Sequence, residues 1–235
     1  MGGLGAVWAK ACMPVCNRPL VHHHLDLLRE MGVAEVVVVV GYRGHEVMIA
    51  ARQHEAVRSG ELTLTSVEQS ERQGIAHALL CAKPAIRDHM VVVLGDTYFV
   101  PEALSRPISM LSMGGLGAVL TVRRETDPKQ ICRECTVRFD DSGHLVRIQE
   151  KPETPFNDLK PCGMYFFGPR IWDAINQTPP SALRDEVEIT DAIQTLVDLG
   201  IPVGRAPTVS RDVNINVPRD LLAANLLELS HRGEA

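Results

Sequence analysis

A chain of 235 residues with 45% hydrophobic and 23% charged residues is long enough for one large globular domain and excludes collagen-like and low-complexity classes. Its formal net charge of −5 argues against general attraction to nucleic acid or an acidic membrane surface, leaving room for a local basic site. No apolar run approaches the eighteen or more residues (roughly) of a membrane helix, and six scattered cysteines without a leader-like start read as reduced thiols in a cytoplasmic protein.

The chain opens on MGGLGAVWAKACMPVCNRP, a glycine cluster just ahead of Lys10. A glycine turn that cradles phosphate normally follows a strand, which sets its direction. With no strand before it, this cluster reads either as a loose terminus or as the stump of a phosphate loop. "PLVHHHLDLLREMG" then spaces Leu20, Leu25, Leu28 and Met31 as on one helix face, with Gly32 as a C-cap. "AEVVVVVG", residues 34–41, is a β-branched run closed by glycine, the pattern of a strand buried on both faces. "LTLTSVEQ" (62–69) predicts another strand, and "GIAHALLCAKPAI" (74–86) a helix ending near Pro84. "MVVVLGD" (90–96) predicts a buried strand ending on a carboxylate, and "PEALSRPISML" (101–111) a helix interrupted or kinked near Pro107.

Alternation of strand and helix up to about residue 122 predicts a parallel sheet with right-handed crossovers. Beyond residue 117 the spacing shortens: "GAVLTV", "CTVRF", "HLVRIQEK" and "CGMYFF" read as close strands, with "DDSG" (140–143) as a turn. Helices return at "RIWDAI", "EITDAIQTLVDLG" and "PRDLLAANLLELS". The economical architecture is a single α/β domain over 1–235 whose second half is mixed and partly antiparallel.

Ligands of open parallel sheets bind outside the carboxyl ends of the strands. That rule selects Gln69 and the loop to Gly74, Asp96 after "VVVLG", and Glu150 with Lys151 after "LVRIQ". A strand-end carboxylate near a lysine and a glycine turn suits metal-assisted phosphate chemistry, since Mg²⁺ takes few protein carboxylates and leaves its other positions to phosphates and water. Taken singly, Asp96 also reads as a turn former, Lys151 as a solvated strand exit and Lys10 as a surface lysine. Cys132 and Cys135 form a C-x-x-C without a second pair or spaced histidines, so they read as two unconnected thiols. No G-x-S-x-G occurs, and His77 reads as a helix residue.

In their joint order the motifs resemble the sugar-1-phosphate nucleotidylyltransferases, the NTP_transferase family that includes glucose-1-phosphate thymidylyl- and uridylyltransferases. "AKACMPVCNRPLVHHHLDLLREMGVAEVVVVVGY" resembles the family's lysine, helix and strand segment; "EQSERQGIAHAL" its base-binding segment; "VVVLGD" its metal strand; "RIQEKP" its sugar-phosphate strand. "CGMYFF", "EVEITDAIQTLVDLG" and "VNINVPRDLLAAN" are similar to its later elements, and the likeness runs from about residue 9 to 229.

The resemblance implies a Rossmann-like (GT-A-type) three-layer α/β sandwich with a mixed, mainly parallel sheet, its first strand absent from the chain. Residues 1–122 would serve as a nucleotide-binding half and 123–235 as a sugar-phosphate-binding half. Lys10 would contact the triphosphate, together with Gly3 and Gly5 of the truncated glycine loop. Gln69 and Gly74 would recognise the base, favouring UTP or dTTP. Asp96 would bind Mg²⁺, with Asn216 or Asn214 as second ligand. Glu150 would hold sugar hydroxyls, Lys151 the sugar phosphate, and Gly163 would let the sugar approach the backbone. The implied partners are a nucleoside triphosphate and a sugar 1-phosphate, with no nucleic acid and no membrane; homo-oligomerisation is left open.

Two departures stand against the pattern. Ala6-Val7 stands where the family has Thr-Arg, with a short spacer to Lys10, and Cys135 stands where the family carries a glycine near the sugar. These leave a second reading, a catalytically degenerate relative that binds nucleotide or sugar phosphate as a regulatory or assembly subunit.

Overall fold

The structure, a computed structural model, describes residues 8–71, 73–113, 115–181 and 185–233. The chain forms two compact units, each drawn from non-contiguous segments: the first from residues 1–71, 93–101 and 210–235, the second from 72–92 and 102–209. Strand pairings are both parallel and antiparallel, the mixed α/β fold expected.

In the first unit, the strands Glu35–Val40 and Thr63–Glu68 pair in parallel, Glu35 opposite Thr63 and Val40 opposite Glu68. The helix Leu20–Glu30 explains how this unit is filled. Leu20 packs with Met13, Val15, Tyr98, Val100, Ile215 and Ala224, whereas Val21 and Leu25 join Ala51, Ala56 and Leu62 in a second apolar cluster. One amphipathic helix thus faces two apolar clusters of the unit. It ends as expected, with Gly32 at φ +78 just beyond it. Ahead of it, Pro14–Val15 and Arg18–Pro19 form a small antiparallel ribbon. Its connecting residues Cys16 and Asn17 both have positive φ, +47 and +61, as a two-residue hairpin turn requires. The strands Thr97–Pro101 and Val209–Asn214 lie side by side, followed by the helix Pro218–Arg232.

In the second unit, four strands lie in the order Val203–Ala206, Ala118–Arg124, Leu159–Phe167, Met90–Val93. The first pair is parallel and the second antiparallel. Beside them, Cys135–Phe139 and Leu145–Glu150 form an antiparallel hairpin, Cys135 opposite Glu150. The helix Ile189–Asp198 is bound to the hairpin where the Gln194 amide oxygen accepts the Ile148 N–H at 3.0 Å.

One local expectation is corrected and a second, a helix ending near Pro84, is met. The helix predicted at 101–111 begins later, at Ser105, and runs to Met113 with Pro107 in its first turn, because Pro101 ends a strand. A proline there removes an N–H that has no helical partner anyway, so no kink results. The helix predicted over 74–86 is α-helical only to Ala82 and tightens to a 3₁₀ turn at Lys83–Ala85 around Pro84.

Candidate active site

Lys10 opens a 3₁₀ turn, Lys10–Cys12, closed by the bond from the Met13 N–H to the Lys10 carbonyl at 3.0 Å. The turn is seated because Ala11 packs against the cluster around Leu25 and Ala51. Asp96 occupies the turn between Val93 and Thr97, and its carbonyl accepts the Ile215 N–H at 2.8 Å. That backbone bond ties the Asp96 turn to the segment leaving the strand Val209–Asn214.

These placements bring four of the candidate residues together within the first unit. Lys10 Nζ donates to Asp96 Oδ2 at 2.9 Å and to Asn216 Oδ1 at 2.6 Å, and Asn216 Nδ2 donates to Asn214 Oδ1 at 2.9 Å. The Lys10 and Asp96 side chains each keep about a third of their surface exposed (31% and 32%), so the cluster opens to solvent. Asn216 is held from below by the next helix. Asp220, in its first turn, accepts the backbone N–H groups of Asn216 at 3.0 Å and Val217 at 2.9 Å. A carboxylate there satisfies otherwise unpaired donors at the helix start and suits its positive dipole end.

The oxygens that bond Lys10 are the Asp96 carboxylate and the Asn216 amide oxygen, with Asn214 Oδ1 next to them on the Asn216 amide N–H, all hard ligands that suit Mg²⁺. Among the described residues, no group of three or more His, Cys, Asp or Glu side chains could hold a metal unaided. A Mg²⁺ bound here through Asp96, Asn216 and Asn214 would therefore complete its shell with phosphate oxygens and water, as the ion usually does.

Gln69 follows the strand Thr63–Glu68 directly, and its N–H donates to the Val40 carbonyl at 2.8 Å. Gly74, in the second unit, starts the helix Gly74–Ala82 at φ +85, and a Cβ built there would stand 3.1 Å from the Val187 carbonyl oxygen and 3.2 Å from the Glu186 side chain. Both dihedral and space demand glycine.

The sugar-phosphate candidates Glu150, Lys151 and Gly163 all lie in the second unit. Glu150 ends its strand opposite Cys135. Lys151 follows in the left-handed region, φ +41, its N–H donating to the Glu134 carbonyl at 2.8 Å. Gly163 lies in a bulge of the strand Leu159–Phe167, where Cys162, Gly163 and Met164 together face Thr121 of the neighbouring strand. Cys135 is buried, and burial followed by the Glu150 charge pushes its thiol well above the ordinary range. It is therefore a small apolar neighbour of Glu150, not a reactive thiol. None of the six cysteines is in a disulfide. Gly3 and Gly5 lie outside the described residues.

Residues that the sequence reading passed over are Asp220, Glu134 and Lys160. Asp220 had a legible signal, a proline at the first helical position followed by an acid two residues later. Glu134 and Lys160 had none, since their pairing links distant segments.

By fold the chain falls in the class of Rossmann-like α/β proteins. It covers 97% of itself and 96% of a UDP-glucose pyrophosphorylase solved with UDP-glucose, with a TM-score of 0.80 at 17% identity. Against an apo UDP-glucose pyrophosphorylase the TM-score is 0.83 at 16% identity, covering 98% of this chain and 96% of that one. The chain belongs to the nucleotidyl transferase family, whose profile matches residues 3–209. It is 31% identical over 227 residues to the low-salt glycan biosynthesis nucleotidyltransferase Agl11 of Haloferax volcanii, covering 95% of this chain and 61% of that protein. It is 32% identical over 193 residues to a glucose-1-phosphate thymidylyltransferase of Streptomyces griseus, covering 82% and 52%. With the UTP–glucose-1-phosphate uridylyltransferase AglF of Haloferax volcanii the identity is 30% over 211 residues, covering 90% and 84%. The chain thus spans between about half and three fifths of the length of the first two relatives (52% and 61%).

Proposed function

We propose that this chain transfers a nucleotidyl group from a nucleoside triphosphate, UTP or dTTP, to a sugar 1-phosphate, giving a nucleotide-sugar and pyrophosphate. The observation that carries the reading is the meeting of Lys10, Asp96 and Asn216 across three separate chain segments. The thymidylyl- and uridylyltransferase names of two relatives support the choice of base and acceptor.

The reaction is an in-line displacement. An oxygen of the sugar phosphate forms a bond to the α-phosphorus while the bond from that phosphorus to the pyrophosphate oxygen breaks, and the electron pair leaves with pyrophosphate. No group on the protein is alkylated or phosphorylated. The protein's task is positioning and neutralisation of charge.

An ammonium has three N–H donors. Asp96 and Asn216 take up two of those on Lys10, which leaves the third for a phosphate oxygen. The pair also fixes the ammonium before substrate arrives, so little reorganisation is needed as negative charge shifts toward the leaving group. Mg²⁺ held by Asp96, Asn216 and Asn214 would supply further neutralisation of the phosphates. Gln69 and Gly74 are assigned to the base, Lys151 to the sugar phosphate, Glu150 to the sugar hydroxyls and Gly163 to close approach of the sugar ring. We assign the reaction to the cytoplasm, with which six cysteines outside any disulfide agree. Among the described residues no helix is long and apolar enough to cross a membrane.

The test is direct. The protein is incubated with Mg²⁺, each nucleoside triphosphate in turn and glucose 1-phosphate or a related sugar phosphate, and pyrophosphate is measured. Release that requires both substrates, fastest with UTP or dTTP, is expected. Absence of release with every pair overturns the reading.

A further inference from the structure

The hairpin of the second unit ends in an arrangement that the proposed reaction has not used. The ladder between Cys135–Phe139 and Leu145–Glu150 closes on Cys135 opposite Glu150. One more bond follows, from the Lys151 N–H to the Glu134 carbonyl at 2.8 Å. At that point Lys151 turns to φ +41 and the chain enters the buried Pro152. A non-glycine residue in the left-handed region costs about 1–2 kcal/mol, and a residue before proline is driven toward extended conformations. Lys151 therefore stays in this conformation only if its surroundings hold it there.

The holder is itself unusual. Glu134 sits at φ −118, ψ −100, outside the ordinary helical and strand regions. Its carboxylate accepts a charge-assisted bond from Lys160 Nζ, and the Lys160 side chain is only 2% exposed. Burying an ammonium is unfavourable without a paired anion, and buried ion pairs contribute little net stability compared with apolar residues. A buried lysine at the second position of the strand Leu159–Phe167 thus has its clearest consequence in geometry: it pins Glu134.

We propose that Glu134 and Lys160 act as a positioning pair for Lys151, the pinned Glu134 backbone carbonyl locking the left-handed turn that presents the sugar-phosphate lysine. Its catalytic meaning rests on the proposed transferase reading; the mechanical coupling does not. Neither residue touches substrate. The pair acts through the Lys151 backbone, so its loss falls on the use of the sugar phosphate and spares the Lys10–Asp96 cluster.

Two measurements on Lys160→Met in the full chain test this. Hydrogen exchange at the Lys151 amide is expected to speed up by about tenfold or more, with the rest of the Leu145–Glu150 strand unchanged, because only the pinned end is released. The KM for glucose 1-phosphate is expected to rise by about tenfold with the KM for the nucleoside triphosphate unchanged, the pattern of a lost ground-state contact on one substrate. Lys160→Arg, which keeps the charge, is expected to restore both. If Lys160→Met does not fold, Glu134→Gln, changed from the half-exposed side of the pair, is read in the same two ways. A folded variant with wild-type exchange at Lys151 overturns the coupling, as does equal loss in Lys160→Met and Lys160→Arg. If the wild-type chain releases no pyrophosphate with any sugar phosphate, the exchange measurement still decides the coupling, and the transferase reading alone falls.

Discussion

The ammonium of Lys10 is bound at 2.9 Å to a carboxylate 86 positions away, Asp96, and at 2.6 Å to the amide oxygen of Asn216, 206 positions away. The three are joined because Ala11 is packed into an apolar cluster and the Asp96 carbonyl takes the Ile215 N–H. Backbone and core thus place the charges, while the charges do little to hold the fold.

That separation makes a first prediction. Lys10→Met is expected to lower kcat by roughly 10²–10³, the usual effect of removing one preorganised charge-stabilising group. Asp96→Ala is expected to abolish turnover. In both, the free energy of unfolding from urea titration should shift by less than about 1 kcal/mol, because exposed ion pairs contribute little. Wild-type rates in Asp96→Ala would refute its role.

The amide at 216 makes a second. Asn216→Asp adds a charge beside Asp96 and a stronger ligand for a hard cation, so the Mg²⁺ concentration giving half-maximal pyrophosphate release should fall, by roughly several-fold. A chelator should remove activity from the wild type, and excess Mg²⁺ restore it. An unchanged Mg²⁺ dependence in Asn216→Asp would remove Asn216 from the ligand set.

Gly74 makes a third. Gly74→Ala must hold φ +85 with a Cβ at 3.1 Å from the Val187 oxygen. Strain of about 1–2 kcal/mol is expected in chemical unfolding, with a raised KM for the nucleoside triphosphate if Gly74 borders the base. Gly32→Ala, at φ +78 with nothing within 4 Å, carries the strain without the crowding or the KM effect. Equal KM values in the two variants would take Gly74 out of base recognition.

A fourth concerns acid. His24 is buried and donates to the Thr97 carbonyl at 2.7 Å, and burial lowers its pKa to about 4. Between its unfolded value near 6.5 and that value, the unfolded chain binds a proton that the folded chain refuses. Stability is therefore fully present above this window and is lost as pH falls through it, by about 3 kcal/mol from this residue. His23 and His54, both lowered chiefly by burial, act in the same direction. His24→Gln, which can still donate to Thr97, should show a shallower loss in urea titrations at pH 7 and pH 4.5. Equal slopes would show that His24 is already charged in the folded state.

Much of this was legible from residues alone. The valine run at 36–40 and its closing Gly41, the helix from Leu20 and the carboxylate after "VVVLG" each follow from local periodicity and strand-end logic, and each stands where expected. The strands Glu35–Val40 and Met90–Val93 are half-buried, however, not buried on both faces as their valine runs predict. The order of the motifs led to the family. What stayed illegible was contact between remote segments. The strand Val209–Asn214 gave no clear alternation, yet its pairing with Thr97–Pro101 delivers Asn214 and Asn216 to Asp96. Lys160 falls in the polar, proline-rich stretch 152–162, which reads as a loop, yet it lies in the strand Leu159–Phe167 and is buried in an ion pair with Glu134. Cys135 stood out as a side chain where a glycine was expected; its buried place opposite Glu150 shows a strand end that accommodates it.

The interleaving of the two units bears on how the molecule is made. The chain leaves the first unit after residue 71, returns at 93, leaves after 101 and returns at 210. A ribosome therefore releases residues 72–92 and 102–209 of the second unit before the first receives Ser210–Asn214 and the helix Pro218–Arg232. Vectorial synthesis would let the Lys151 side of the protein settle early, while Lys10 and Asp96 wait for Asn216, the last of the three to be synthesised. Neither unit corresponds to one continuous stretch of coding sequence, so no single recombination crossover could exchange one for a homologous copy intact.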